Sequence, residues 1–362
     1  MNCGNKKKIC IIVSSLGKGG AQKASATLSK MLFNQGYNVH IVSVLNHIDY
    51  SYKGTLFNLG ALKDNDNSLV GRLKRMMLLK SYFKEHNFDV LIDSRSRPGG
   101  LKQFIISNFI YNKAKVIYIV GSYKLTTYLP KSKVFARFLY GKAFKLLAVS
   151  KEIKEKLEKT YRFKNVEYIY NALPESERAN SSTAESSYIL AYGRLVDSVK
   201  NYTLLINAYK ASVLAKRKVK LVILGSGKDE RYLKDLVIKL NLNEYITFVP
   251  FVSNPQNYVE NAKMVCLTSR YEGFPMVLLE SLSAGTPVVS VDCNSGPKEI
   301  VINEYNGLLV ENNDVSAYAE ALNRMIEDEA LYNMCKANSK KSVEKFSIEN
   351  ISKQWNTLIE SV

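Results

Sequence analysis

Short runs of β-branched and other apolar residues recur along the chain, separated by segments whose apolar positions follow a helical spacing. In the first half the runs are 9–13, 39–44, 90–92, 116–120, 146–149 and 168–170. Between the first two, Ala24, Leu28, Met31 and Leu32 fall at i, i+4, i+7 and i+8, and Gly36 supplies a C-terminal stop. Strand, helix, strand in that order predicts parallel α/β units rather than hairpins. The pattern starts afresh after a polar stretch at 176–187, with runs at 188–192, 219–224, 246–249, 264–267, 288–291 and 308–310. Helical patterns fill the gaps, and a last one occupies 348–359.

A length of 362 residues suits two cores better than one. The division predicted is an α/β protein of two Rossmann-like domains, residues 1–175 and 188–345, joined by a linker at 176–187. A C-terminal helix within 346–362 crosses back to the first domain. Two such sheets facing one another bring the C-terminal ends of their strands to a central cleft, where open α/β sheets bind ligands.

Charge separates the halves. Residues 1–180 hold 31 Lys and Arg against 12 Asp and Glu, whereas residues 181–362 hold 20 against 21, so the net +18 belongs to the first half. Nine bases and no acid lie in 101–150, and the part at 131–145 interleaves them with Val134, Phe135, Phe138, Leu139 and Phe144, the composition of a basic amphipathic helix. A second such stretch, 72–80, sets Met76, Met77, Leu78 and Leu79 among Arg72, Lys74, Arg75 and Lys80. An ordinary solvated helix face is the plainer reading of either stretch alone; the one-sidedness of a whole half favours an anionic membrane surface. Nucleic acid is not expected as a partner, because the chain has no helix-turn-helix, zinc-finger or RNP-like pattern.

Five scattered cysteines without a CxxC suit neither a disulfide framework nor a zinc site, and three histidines, His40, His47 and His86, have no metal-ligand spacing. A reducing compartment and metal-free chemistry follow as expectations. No apolar run approaches the ~18 to 20 residues of a spanning helix, and the start, three lysines before 9–13, reads as a basic lead-in to a buried strand.

The densest chemical signal is the segment 269–285, which follows a buried-type strand. Pro275 is placed to open a helix, Gly273 lets backbone approach a ligand, and the free amides of Met276 and Val277 then carry the positive end of the helix dipole, a phosphate cradle. Glu272 before the helix and Glu280 within it are spaced to accept bonds from sugar hydroxyls at separate points. Arg194, after the first strand of the second domain, and Lys200, at the next helix, offer cations for a diphosphate, Arg as a fork and Lys as a point charge. Singly, each reads as a loop or a solvated helix face; in this order, each just after a strand, they converge on one site.

Gly193-Arg-Leu with Lys200-Asn, Gly225-Ser-Gly, Glu272-Gly-Phe-Pro with Glu280, and Asn306-Gly-Leu-Leu-Val resemble, in order and spacing, the retaining glycosyltransferases of family 4, which have the two-domain GT-B fold. Ser295-Gly-Pro-Lys-Glu resembles their bacterial surface-polysaccharide members, and Gly17-Lys-Gly-Gly resembles the family's glycine-rich acceptor-side loop, placing Gly19 and Gly20 there. The resemblance implies a nucleotide-diphosphate sugar donor, UDP-linked, held by Arg194 and Lys200 on the diphosphate, Glu280 on the ribose, and Glu272 with Gly273, Phe274, Pro275, Met276 and Val277 on the sugar. Gly193 and Gly225 would also line this donor site, and no cofactor or metal would be needed.

Two departures stand out. Where many relatives carry a histidine after the fourth strand of the first domain, this chain has Ser122, which can donate a hydrogen bond but not a charge; and Pro250-Phe251 stands where relatives often have glycine beside the base. On the first domain, Asp93, Arg95 and Arg97 are placed to meet the acceptor, with a plain loop as the equal alternative. The acceptor that would explain a cationic half without a spanning helix is a lipid-linked glycan of O-antigen or capsule synthesis, met by a cytoplasmic enzyme peripheral on the inner face of the cell membrane. A sugar-nucleotide 2-epimerase of the same fold and a non-catalytic polyanion-binding protein are the competing readings.

Overall fold

The structure is a computed structural model that describes residues 6–97, 99–111, 114–174 and 188–362; the linker expected at 176–187 lies outside them. Two compact units divide the chain, one of residues 1–174 with 348–362 and the other of 175–347.

The first unit runs β1 (Lys8–Val13), α1 (Gly20–Asn34), β2 (Asn38–Ser43), β3 (Thr55–Asn58), α2 (Leu59–Asn65), α3 (Leu69–His86) and β4 (Val90–Asp93). It continues through α4 (Gly100–Phe109), β5 (Lys115–Val120), α5 (Lys133–Tyr140), β6 (Lys145–Ala148), α6 (Lys151–Tyr161) and β7 (Val166–Tyr168). All seven strands are parallel, in the order β3-β2-β1-β4-β5-β6-β7. Ile11 of the central β1 pairs with Ile41 on one side and Ile92 on the other, so the apolar runs are strands buried on both faces.

Three expectations shift. The edge strand β3 was not expected, because its residues are only half-buried or exposed and carry no continuous apolar run. The run at 168–170 becomes a strand two residues earlier, at Val166–Tyr168. The basic helix expected across 131–145 spans only α5: Ser132 caps its start, Gly141 closes it, and Lys145 already opens β6, paired with Ile117.

Right-handed crossovers fix which face each helix covers. α1 carries the chain from β1 to β2 in one direction along the sheet, whereas α3, α4 and α5 carry it in the other, so these three share the opposite face. The last helix of the chain, Ile348–Glu360, joins α1 on its face: Ile351, Trp355, Leu358 and Ile359 enter one core with Leu28, Met31 and Leu32. Tyr37 donates to Asn356 Oδ1 at 2.6 Å, and Gln35 Nε2 to the Ser352 carbonyl at 2.7 Å.

The second unit begins with β8 (Tyr188–Tyr192), α7 (Asp197–Lys200), α8 (Tyr202–Ala211), β9 (Lys220–Leu224), α9 (Glu230–Lys239) and β10 (Ile246–Val249). It continues with α10 (Gln256–Glu260), β11 (Val265–Leu267), α11 (Met276–Ala284), β12 (Val288–Val291), α12 (Pro297–Ile300), β13 (Gly307–Val310), α13 (Val315–Glu327) and α14 (Glu329–Ser342), before α15, the helix Ile348–Glu360 already described. Its six parallel strands lie in the order β10-β9-β8-β11-β12-β13.

Each sheet reverses its winding once, between β1 and β4 and between β8 and β11. Within each sheet, the two loops leaving the strands at the reversal therefore stand side by side at the C-terminal edge, the place where such sheets hold ligands. Among the described residues no helix is long and apolar enough to cross a membrane, and no group of three or more His, Cys, Asp or Glu side chains is placed to hold a metal.

Candidate active site

At the β8/β11 reversal the chain brings together residues far apart in sequence. Leaving β8, Gly193 takes φ 145° and Gly225, leaving β9, takes φ 150°, both in the region that favours glycine. The two loops touch backbone to backbone: a Cβ on Gly225 would fall on the Gly193 carbonyl oxygen, and one on Gly227 on the Leu195 carbonyl. Close loop packing, which sets the height of the Gly193–Lys200 segment above the sheet, thus accounts for Gly225.

That segment ends in the short helix α7, whose C-cap Asn201 sits at φ 52° and turns the chain into α8. The corner is tied to the loop after β11: Thr268 Oγ1 donates to the Lys200 carbonyl at 3.0 Å, the Arg270 amide to the Val199 carbonyl at 2.8 Å, and Arg270 Nη2 to Asn201 Oδ1 at 2.8 Å. Lys200 Nζ is thereby aimed at Glu272, donating to its Oε1 at 2.7 Å. Ser269, fully buried, donates to the same oxygen at 2.6 Å. Ser269 was not singled out in the sequence; its only signal was its place as the second residue past the strand, beside the Glu272 motif. The pair is neither sealed nor free, with the two side chains 18% and 13% exposed. Arg194, by contrast, is exposed and makes no ion pair among the described residues.

Pro275 takes an extended ψ of 98° and is the N-cap, so α11 opens at Met276, one residue later than a proline in the first turn would place it. No side chain caps the helix. The loop after β12 presses on this turn. Ser295 Oγ donates to the Gly273 carbonyl at 2.8 Å, the Glu272 amide to the Asn294 carbonyl at 2.7 Å, and a Cβ on Gly296 would come within 2.6 Å of Pro275 Cδ. The Phe274 side chain is buried edge-on against Phe346 at 5.2 Å, and Met276 is buried too, so both side chains anchor the turn.

Glu280, inside α11, is buried, and Tyr192, the last residue of β8, donates to its Oε2 at 2.9 Å. The same hydroxyl lies 3.2 Å from the carbonyl of Val277, whose side chain is half-buried. Burial first and the Glu280 carboxylate second push the Tyr192 phenol far up, so it stays a donor at any ordinary pH. A tyrosine ending a strand gave no signal of this role in the sequence.

In the first unit, Gly19 (φ 129°) is the N-cap of α1, which opens at Gly20 with neither a side-chain cap nor an acid in its first turn. Ser122 Oγ accepts from the Lys124 amide at 3.2 Å and so shapes its own loop. Asp93, Arg95 and Arg97, read either as meeting an acceptor or as a plain loop, turn inward. Arg95 grips Asp93 as a fork, Nε to Oδ1 at 2.9 Å and Nη2 to Oδ2 at 2.7 Å, while Tyr111 donates to Oδ2 at 2.6 Å. Arg97 donates to the Asp93 and Ile119 carbonyls at 2.9 Å each and lies over the rings of Tyr118, Tyr128 and Tyr140. Burial alone would raise the Asp93 carboxyl; the two guanidiniums overcome it and hold the group down at about 2.

A partly exposed Lys–Glu pair, a buried Glu steadied by a tyrosine, and an uncapped helix start, all at one strand reversal, define a site for an anionic, hydroxyl-rich ligand. Residues 174–342 match the family model "Glycosyl transferases group 1", so the second unit is a glycosyltransferase group 1 domain. The whole chain is similar to the Campylobacter jejuni N-acetylgalactosamine-N,N'-diacetylbacillosaminyl-diphospho-undecaprenol 4-alpha-N-acetylgalactosaminyltransferase, 29% identical over 96% of this chain and 98% of the relative. It is similar also to the amylovoran biosynthesis glycosyltransferase AmsD of Erwinia amylovora, 26% identical over 97% and 99%. Among solved structures it resembles Anabaena HepE in complex with UDP, with a TM-score of 0.74 at 18% identity, over 98% of this chain and all of that one. The chain has the GT-B fold of two parallel-sheet α/β domains, and the second of them is a group 1 glycosyltransferase domain.

Proposed function

We propose that the chain is a retaining glycosyltransferase that moves a sugar from a UDP-linked donor to a lipid-linked glycan in bacterial surface-polysaccharide synthesis, working at the cytoplasmic face of the membrane without a metal. The observation that carries the donor reading is the Lys200–Glu272 pair beside the uncapped start of α11, at the reversal of the second sheet. In this reading Arg194 and Lys200 meet the diphosphate, Glu280 the ribose, and Glu272 with the Gly273 to Val277 backbone the sugar. Glu272 binds Lys200 and Ser269 through one oxygen, which leaves its Oε2 to accept from a sugar hydroxyl. As the glycosidic bond breaks, negative charge grows on the leaving diphosphate, and cations and amides already fixed there stabilise the transition state more than the ground state. The leaving oxygen takes the acceptor's proton on the same face, so no dedicated base is required. The UDP-bound neighbour and the diphospho-undecaprenol acceptor in the name of the Campylobacter relative support the two substrates.

The test is a panel of nucleotide sugars assayed for thermal stabilisation and then for transfer to a polyprenyl-diphosphate glycan, with the anomeric proton of the product read by NMR. Stabilisation that grows with UDP-sugar concentration, is lost in Glu280→Ala, and leads to an α-linked product insensitive to EDTA is expected for an α-linked donor. No stabilisation by any nucleotide sugar would overturn the reading.

A further inference from the structure

We propose that the face of the first unit formed by α3, α4 and α5 is the surface on which the protein lies on an anionic bilayer. The inference deepens the proposed function, and rests on it for the idea that the acceptor is presented by a membrane.

The sheet topology puts these three helices side by side on one face. α3 is 18 residues long and buries only Gly71 and Phe83. Leu69, Leu73 and Met77, at i, i+4 and i+8 along one stripe, are 75%, 61% and 63% exposed. α4 and α5 continue the surface: Phe104 stacks on Phe138 at 5.8 Å, and Val134, Phe138 and Phe109 stand in solvent. In the second unit the exposed large apolar residues are fewer: Tyr232 and Ile238 on α9, Ile302 in a loop and Met334 on α14. Isolated exposures of that kind need no explanation; a joined set on neighbouring helices does.

Charge decides the occupant. Arg72, Lys74 and Lys80 flank the apolar stripe of α3, Lys133 and Arg137 that of α5, and neither 67–84 nor 101–150 contains a single Asp or Glu. On α4, burial first and then the nearby Arg95, Arg72 and Lys63 lower the pKa of Lys102. A second copy of the chain laid on this face would set like charge against like. A nucleic acid would neutralise the cations but leave Leu69, Leu73, Met77, Val134 and Phe138 in water. An anionic bilayer satisfies both at once, taking the apolar side chains into the acyl boundary while the cations stay level with the phosphates.

The test is co-sedimentation of the full chain with vesicles of phosphatidylcholine alone and of phosphatidylcholine mixed with phosphatidylglycerol. Binding only to the mixed vesicles is expected, weakened by salt. The exposed pair Leu73→Ser with Met77→Ser is expected to weaken partitioning about tenfold with an unchanged melting temperature, and Lys74→Gln with Arg137→Gln to remove the preference for the anionic lipid. Equal binding to both vesicle types, wild-type binding by the serine variant, or self-association that the serine variant abolishes while vesicles are ignored would each overturn it. Donor-induced stabilisation, measured on the same variants, reads the second unit alone. Its presence in a chain that fails on vesicles would sink the membrane surface and spare the donor site, and its absence in a chain that binds them would do the reverse.

Discussion

Both units reverse the winding of a parallel sheet and both place an acid and a base in the loops there, yet the outcomes are opposite. At the β1/β4 reversal Asp93 is wholly buried, gripped by Arg95, Arg97 and Tyr111, and every one of these bonds stays inside the unit. At the β8/β11 reversal Lys200 and Glu272 pair through one carboxylate oxygen, while Arg194, six residues before Lys200, is exposed and makes no ion pair among the described residues. A charge cluster that satisfies itself in the interior specifies structure; one left partly unsatisfied at a strand end is available to a ligand.

The sharpest way to break that contrast is Asp93→Asn. It leaves Arg95 and Arg97 in the interior without their carboxylate, and losing one partner of a sealed ion pair costs about 3–5 kcal/mol. Thermal or urea unfolding of the first unit should shift by that much, while donor-induced stabilisation of the second unit stays. Acid sharpens the same point. The Asp93 carboxyl sits at about 2 in the folded chain, against about 3.9 when unfolded. Because the folded value is depressed, its contribution is complete above about pH 4 and is lost as the pH falls towards 2, on the order of 2 kcal/mol in all. Unfolding of the wild type should steepen in that window and that of Asp93→Asn should not. A variant as stable as the wild type would show the cluster to be ornamental.

The reverse profile is expected of Lys200→Ala. If Lys200 meets the leaving diphosphate as proposed, its removal should cost about 10²–10³ in kcat/KM. The partly buried pair with Glu272 adds only about 1–2 kcal/mol to stability, between the values for surface and sealed pairs. Steady-state transfer kinetics set beside the unfolding of the second unit would check this, and a loss of stability larger than the loss of rate would place Lys200 with Asp93 on the structural side.

How much of this contrast was legible beforehand follows from where each signal is stored. Strands buried on both faces print themselves as β-branched runs, which is why twelve of the thirteen strands had a matching run and only the half-buried edge strand β3 had none. The segment 269–285 was legible because backbone demands, a proline at a helix entry and glycines at a close approach, are local. Which way a loop side chain turns is not local. Asp93 and Arg97 face inward because Tyr111, just past α4, Tyr118 on β5 and Tyr140 at the end of α5 complete their shell. Phe274 is likewise claimed by Phe346, seventy-two residues on. Tyr192 escaped notice for the same reason: it is defined by Glu280, eighty-eight residues on, which it reaches from the next strand, not by its own neighbours.

Tyr192→Phe is the smallest and most specific probe of the second site. The substitution keeps the ring and its packing and deletes only the hydroxyl, so Glu280 loses one fixed donor in a buried place, on the order of 1 kcal/mol or about fivefold in affinity. If Glu280 holds the ribose throughout the reaction, the loss falls equally on ground and transition states: KM for the donor rises and kcat holds. A fall in kcat with KM unchanged would mean that Tyr192 orients Glu280 for a contact made only as the bond breaks, moving that carboxylate from binding to the chemical step. Wild-type values of both constants would show that the other neighbours of Glu280 already hold it, and that the hydroxyl serves the Val277 carbonyl at the start of α11 instead.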